Sequence, residues 1–161
     1  MSEQVFDHVG LSVSDLEAMK DWYAAGLGMA VEFEFELPNG VMRGAMLHRP
    51  GPGGTPGFRL ELLRRADSVL GLQATNPFDA AGTRGFGHIA FDVPDVDAAY
   101  AALTAIGATD RMSPRPSPEP GVRMAYVADP EGNLIELLDR AAAKAAGRWG
   151  HGEAHDPGVT A

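Results

Sequence analysis

The stretch RGFGHIAFDVPDVDAAY, Arg84 to Tyr100, sets a histidine among strand-forming residues and then runs into a helix start. Moved back by 80 positions, its part Gly85 to Ala98 (GFGHIAFDVPDVDA) overlies Val5 to Ala18 (VFDHVGLSVSDLEA), and His88 falls on His8. Phe86 falls on Phe6, Ile89 on Val9, Val93 on Val13 and Asp95 on Asp15, so apolar pattern and helix start repeat together. Further along, GNLIELLDR (Gly132 to Arg140) resembles GFRLELLRR (Gly57 to Arg65) at an offset of 75, which lays Glu136 on Glu61. A period of this length marks one supersecondary unit written twice.

Each copy reads as strand, helix and three more strands. Val5 to Val13 alternates, with Val5, Val9, Leu11 and Val13 on one face, where Asp7 is the polar exception. Phe6, His8, Gly10 and Ser12 take the other face. Ser14 and Glu17 have capping-box spacing, and Leu16, Met19, Tyr23 and Leu27 then recur at helical intervals up to the stop signals Gly26 and Gly28. In the second copy Asp95 is the expected cap, Val96, Ala99, Tyr100, Leu103 and Ile106 form the stripe, and Gly107 ends it. Helices are therefore expected on one side of the sheet and both histidines on the other.

The remaining strands are expected at Ala30 to Leu37, Val41 to His48 and Gly57 to Arg64, then at Arg111 to Pro114, Val122 to Ala128 and Asn133 to Leu138. Residues 1–65 make a first βαβββ module, 66–84 a linker with one helical turn, and 85–140 a second module. Residues 141–161 read as a tail that begins as helix and then frays. The fold class is α+β: two tandem βαβββ modules forming one domain, a curved mixed sheet shaped as a half-barrel cup with helices on its outer face.

Composition narrows the chemistry. Cysteine is absent, so disulfides, thiolate nucleophiles and thiolate-ligated metals are excluded, and any metal must sit on nitrogen and oxygen. A formal charge of −9, from 22 acidic against 13 basic residues, argues against nucleic acid as a partner. No apolar run is long enough to span a bilayer, and the first residues lack the pattern of a secretion signal, so the expectation is a soluble cytoplasmic protein with no membrane partner.

A carboxylate alternating with leucines, as Glu61 and Glu136 do, must meet water, a partner charge or a metal. Two modules about a pseudo-twofold axis would gather His8, Glu61, His88 and Glu136 from the first and last strands of both. Two imidazole nitrogens and two carboxylate oxygens suit one divalent ion: Zn, Ni, Co, Mn or Fe.

At RGFGHIAFDVPDV and AYVADPEGNLIEL the chain resembles the vicinal oxygen chelate superfamily, and glyoxalase I and its relatives most closely, with the resemblance covering about Val5 to Asp139. That superfamily includes methylmalonyl-CoA epimerase, extradiol dioxygenases, fosfomycin-resistance transferases and bleomycin-resistance proteins. The resemblance implies that His8, Glu61, His88 and Glu136 are metal positions, and the retained Glu61 favours the glyoxalase and epimerase branch. It implies a metal-dependent lyase, isomerase or epimerase that abstracts a proton next to a carbonyl, through a metal-stabilised enediolate or enolate. Glu136 is then the base, and Glu61 returns the proton. Where glyoxalase I carries an arginine for the glutathione carboxylate this chain has Ser12, so the resemblance brings no such site with it. Ser12, Arg43, Met46, Asp92, Arg123, Met124 and Tyr126 are candidates to line the cup around a small-molecule substrate. The alternatives are an Fe(II) extradiol-type dioxygenase and a non-catalytic, drug-sequestering protein of the bleomycin-resistance kind. Exposed module edges point to a homodimer, with the site either inside one chain or straddling two.

Overall fold

Alternating apolar residues next to turn chemistry produce two copies of one topology. The computed structural model of the chain describes residues 4–51, 53 and 57–147. The first module consists of β1 (Val9–Ser12), α1 (Leu16–Leu27), β2 (Ala30–Glu36), a 3-10 turn at Pro38–Gly40, β3 (Arg43–Arg49) and β4 (Phe58–Arg64). A short helix, α2 (Pro77–Ala81), lies in the connection. The second module is β5 (Ile89–Asp92), α3 (Val96–Ala105), β6 (Thr109–Pro116), β7 (Arg123–Ala128) and β8 (Leu134–Asp139), and α4 (Ala141–Ala145) follows. His151 and His155, read as part of the tail, lie outside the described residues.

Strand order is β1-β4-β3-β2 in one sheet and β5-β8-β7-β6 in the other, with the first strand parallel to the last and every other pairing antiparallel. The fold class is thus the expected α+β duplication. The expected single curved sheet resolves into two open four-stranded sheets, because β1 and β5 are not hydrogen-bonded to each other. Instead the modules meet through side chains, with Phe58 edge-on to Phe91 at 5.2 Å.

Three local expectations change. The first strand of each copy is only four residues long, so His8 and His88 stand just before their strands rather than inside them. The register sets Val9 beside Leu60, and β4 begins at Phe58, so Val5 and Phe6 have no strand partner and are exposed. Second, Asp15 rather than Ser14 caps α1 by accepting from the Ala18 amide, as Asp95 does from Ala98 in α3. The Ser14 hydroxyl is drawn away to Glu131. Third, Gly26 is not a stop but an interior residue of α1, where a Cβ would meet Leu103 Cδ2 at 2.7 Å. Gly28, at φ 63°, is the left-handed residue that ends the helix.

The apolar faces of both sheets and both long helices share one core. Tyr23, Leu47, Leu60 and Leu62 of the first module are fully buried together with Ile135 and Leu137 of the second. No helix among the described residues is long and apolar enough to cross a membrane.

A polar joint locks the modules. Asp129 is 1% exposed and accepts from the Tyr23 hydroxyl at 2.9 Å, from the Glu131 and Asn133 amides, and from the Asn133 side chain. Burial, and then the charge of Asp129, push the Tyr23 phenol far above its ordinary range, so it stays a donor. Beside it, the Glu131 carboxylate receives the Ser14 and Asp15 amides at the start of α1. Tyr23→Phe should lower the unfolding free energy by about 1.5–3 kcal/mol, the usual worth of a hydrogen bond to a charged group, and Asp129→Ala should cost at least as much. Urea unfolding of both variants checks this, and a loss under about 0.5 kcal/mol in each would show the joint to be incidental.

Candidate functional site

Parallel pairing of first and last strands decides which side chains become neighbours. Gly10 lies beside Glu61 and Ala90 beside Glu136, and side chains two residues apart in a strand share a face. Each histidine, two positions upstream, comes to the same face as its glutamate. His8 Nε2 is 3.6 Å from Glu61 Oε2, and His88 Nε2 is 3.2 Å from Glu136 Oε2. The face is opposite to that of the helices, since Leu60, Leu62, Ile135 and Leu137 occupy the intervening positions in the core.

The four residues therefore come together two by two. Among the described residues no group of three or more His, Asp and Glu side chains is gathered closely enough to hold an ion as it stands. Both histidines nevertheless border one cleft of about 490 Å³, whose walls include Phe6, Leu72, Phe86 and Asn133.

Within each pair the spacing is near that of two donors on one divalent ion. Two donors about 2.1 Å from one ion, at an angle of 90–110°, lie about 3.0–3.4 Å apart, close to the separations within both pairs. Nitrogen and carboxylate oxygen are also the donors that zinc and its neighbours accept.

Each pair has its own support. His8 Nδ1 is 2.6 Å from the Asp7 carboxylate, which Arg59 grips through two bonds of 2.8 and 2.9 Å. The bond to His8, with the Arg59 charge behind it, holds the Asp7 carboxyl below its ordinary range. A carboxylate on Nδ1 fixes the ring and leaves Nε2 free to face Glu61. Asp7, read from sequence as a misfit on an apolar face, is thus an orienting residue; its signal was an acid adjacent to a candidate ligand. His88 is flanked differently, by the ring of Tyr126 at 5.4 Å and nearly perpendicular to it. Burial, and then Glu136, push the Tyr126 phenol above its ordinary range.

Of the residues expected to line the cup, Met46 lies opposite Glu61 in the register, Tyr126 opposite Glu136 and Met124 opposite Leu138, all on the histidine side. Ser12 and Asp92 follow the same face along β1 and β5, and Asp92 is paired with Lys144 of α4. Arg43 and Arg123 are placed elsewhere. Arg43 turns to Glu17 and Arg123 to Asp97, acids in the first turns of α1 and α3, so both arginines belong to the helix side. Strand alternation explains it, because each is an odd number of residues from the methionine or tyrosine on the cup face. Leu72 and Asn133, which line the cleft, were not singled out from the sequence; the first lies in the connection and the second in a turn, where periodicity carries no signal.

Residues 5–137 match the Glyoxalase/Bleomycin resistance protein/Dioxygenase superfamily. A Brassica oleracea var. gemmifera protein named as a lactoylglutathione lyase is 32% identical over 135 residues, which are 84% of this chain and 44% of that protein. The chain thus spans less than half the length of that relative. Among solved structures, glyoxalase I of Zea mays superposes with a TM-score of 0.64 at 26% identity, covering 83% of this chain and 44% of the maize one. A glyoxalase family protein of Enterococcus faecalis superposes with a TM-score of 0.65 at 24% identity, over 84% of this chain and 98% of the other.

The placement of the two arginines has a consequence that can be measured. Arg43→Ala and Arg123→Ala should leave divalent-ion uptake by the protein unchanged in equilibrium dialysis. Weakened uptake in either variant would return that arginine to the cup.

Proposed function

The chain belongs to the Glyoxalase/Bleomycin resistance protein/Dioxygenase superfamily, and on that premise we propose that it is a divalent-metal-dependent lyase, isomerase or epimerase of the glyoxalase I type. Its substrate would be a small oxygenated metabolite or thiol adduct that carries a removable proton beside a carbonyl. The observation that carries the reading is the duplicated His–Glu pairing, at 3.6 Å in one module and 3.2 Å in the other. His8, Glu61, His88 and Glu136 would hold the ion, chosen from Zn, Ni, Co, Mn and Fe by the character of the donors. When bound, such an ion stabilises negative charge on neighbouring oxygens of a ligand.

The chain's own groups supply the rest. A carboxylate within reach of a carbon-bound proton serves as base: the C–H bond breaks as an O–H bond forms on Glu136. Glu61, entering the cycle protonated, gives its proton to the product, and water then takes the proton from Glu136 and restores that of Glu61. Asp7 keeps the His8 ring in place throughout. Met46 and Tyr126, opposite the two glutamates, shape the walls against which a substrate is turned.

A homodimer belongs to this reading. Phe6 and Phe86, in the segments leading into the edge strands β1 and β5, are 74% and 105% exposed, and a second copy would cover them. The ratio of bound ion to chains, read with the mass in solution, tells whether one chain or two complete the ligand set.

Elemental analysis after exposure to each of the five metals should find an ion in the wild type and a loss of it in His8→Ala, Glu61→Ala, His88→Ala and Glu136→Ala. Glu136→Gln should keep the ion and lose at least 100-fold in the rate of deuterium incorporation beside a substrate carbonyl, the typical worth of general base catalysis, roughly 10²–10⁴. The screen covers hemithioacetals, 2-substituted acyl-CoA esters and catechols. A protein that stays empty with every metal supports sequestration instead, and oxygen consumption with a catechol supports the dioxygenase.

A further inference from the structure

Residues beyond β8 fold back onto the histidine side of the second sheet. Ala143 of α4 is 1% exposed and buried with Val122 and Leu138, with Met124 packed against them. Leu138 and Met124 lie on the same face as Glu136 and Tyr126, so α4 covers one end of the cup. Its attachment is also polar: Arg140, just before α4, reaches Glu119 at 3.3 Å, and the Lys144 ammonium sits against the Asp92 carboxylate. Asp92 is two residues beyond Ala90, the neighbour of Glu136, and so about 7 Å further along the strand. At the opposite end of the same face, Ala74 and Ala80 of the connection pack on Ala128 and Leu134. The second module's face is therefore framed, with Glu136 between the two covers and His88 level with Leu134.

We propose that α4 is a wall of the substrate site and that Lys144 is a specificity-determining residue, receiving a carboxylate at the end of the substrate remote from the reacting carbon. The inference rests on the cup being the site. The Lys144–Asp92 pair is open to water, and exposed pairs are weak, so a ligand can share or replace it. An ammonium has three donors and can serve two carboxylates at once, as Lys20 does here between Glu17 at 2.6 Å and Glu34 at 2.5 Å. Arg43 and Arg123 are held on the helix side, and Ser12, the repeat position of Asp92, carries no charge. Lys144 brings to the second module's face a cation that the duplication does not supply.

The chain has two lysines, Lys20 and Lys144, which makes the test direct. Isotopic ¹³C,¹⁵N-lysine incorporated into the full chain labels both without altering the ammonium, and Lys144→Arg identifies the Lys144 signal. Titration of the metal-free protein with acetate, at ionic strength held constant with chloride, should move that signal saturably. Asp92→Asn should tighten the acetate response several-fold by removing the competing carboxylate. A Lys144 signal that ignores acetate, or one that collapses in Asp92→Asn to that of a free lysine, would reduce Lys144 to a structural latch and overturn the proposal. Ion uptake is measured separately on the same protein. Uptake with a silent Lys144 defeats this inference alone, whereas a responsive Lys144 in a protein that takes up no ion defeats the metal reading alone.

Discussion

The parallel pairing of the first strand of each module with its last is the constraint on which the site depends. Only that pairing brings residue 8 beside residue 61 and residue 88 beside residue 136, across more than 45 positions of chain. A parallel pair needs a long crossover, and here the helix and two antiparallel strands provide it. The same crossover lays the helix over the leucines that alternate with the glutamate. The core and the candidate site are thus opposite faces of one arrangement. A shift of one residue in the register would put Glu61 into the core and Leu60 or Leu62 into the cup, which burial of a bare carboxylate forbids.

Duplication makes the modules equal in topology, and the sequence then makes them unequal in chemistry. Glu61 faces Met46, a thioether that offers no proton, while Glu136 faces Tyr126, a phenol that does. His8 leans on Asp7, whereas the matching position before His88 is Gly87. The turn before β8 carries Asp129 and Glu131, which reach across to α1. The duplication thus supplies two carboxylates alike in placement, and their neighbours distinguish them.

Much of this is legible in the sequence. Period-two alternation, the repeat at offsets of 80 and 75, and the glycines at helix ends defined eight strands and two long helices in their observed order. The two His–Glu pairs were legible as candidates because a histidine or glutamate recurring at repeat-related positions is unlike a solvated surface residue. What escaped depends on contacts between modules. Ser14 has the sequence of a cap but is claimed by Glu131, more than a hundred residues away, and no local pattern announces that competitor. Strand ends escaped too, since β1 starts at Val9, its first partner being Leu60, and not at the apolar Val5 and Phe6 before it.

The arginines show how far alternation alone reaches. Arg43 and Arg123 are repeat-related, and so are their partners Glu17 and Asp97. The duplication therefore preserved an ion pair that ties a middle strand to the first turn of the covering helix in both modules. Such a pair is modest in energy, yet it carries both cations out of the cup. The first module keeps Arg59 on the histidine side, two residues from Glu61 and held by Asp7 and Glu32, but the matching position in the second module is Leu134, and a cation on that module's face arrives from outside the repeat. Lys144 does so from α4, beyond the second module, where selection can alter the charge of the cup's end without disturbing a strand register shared by two copies.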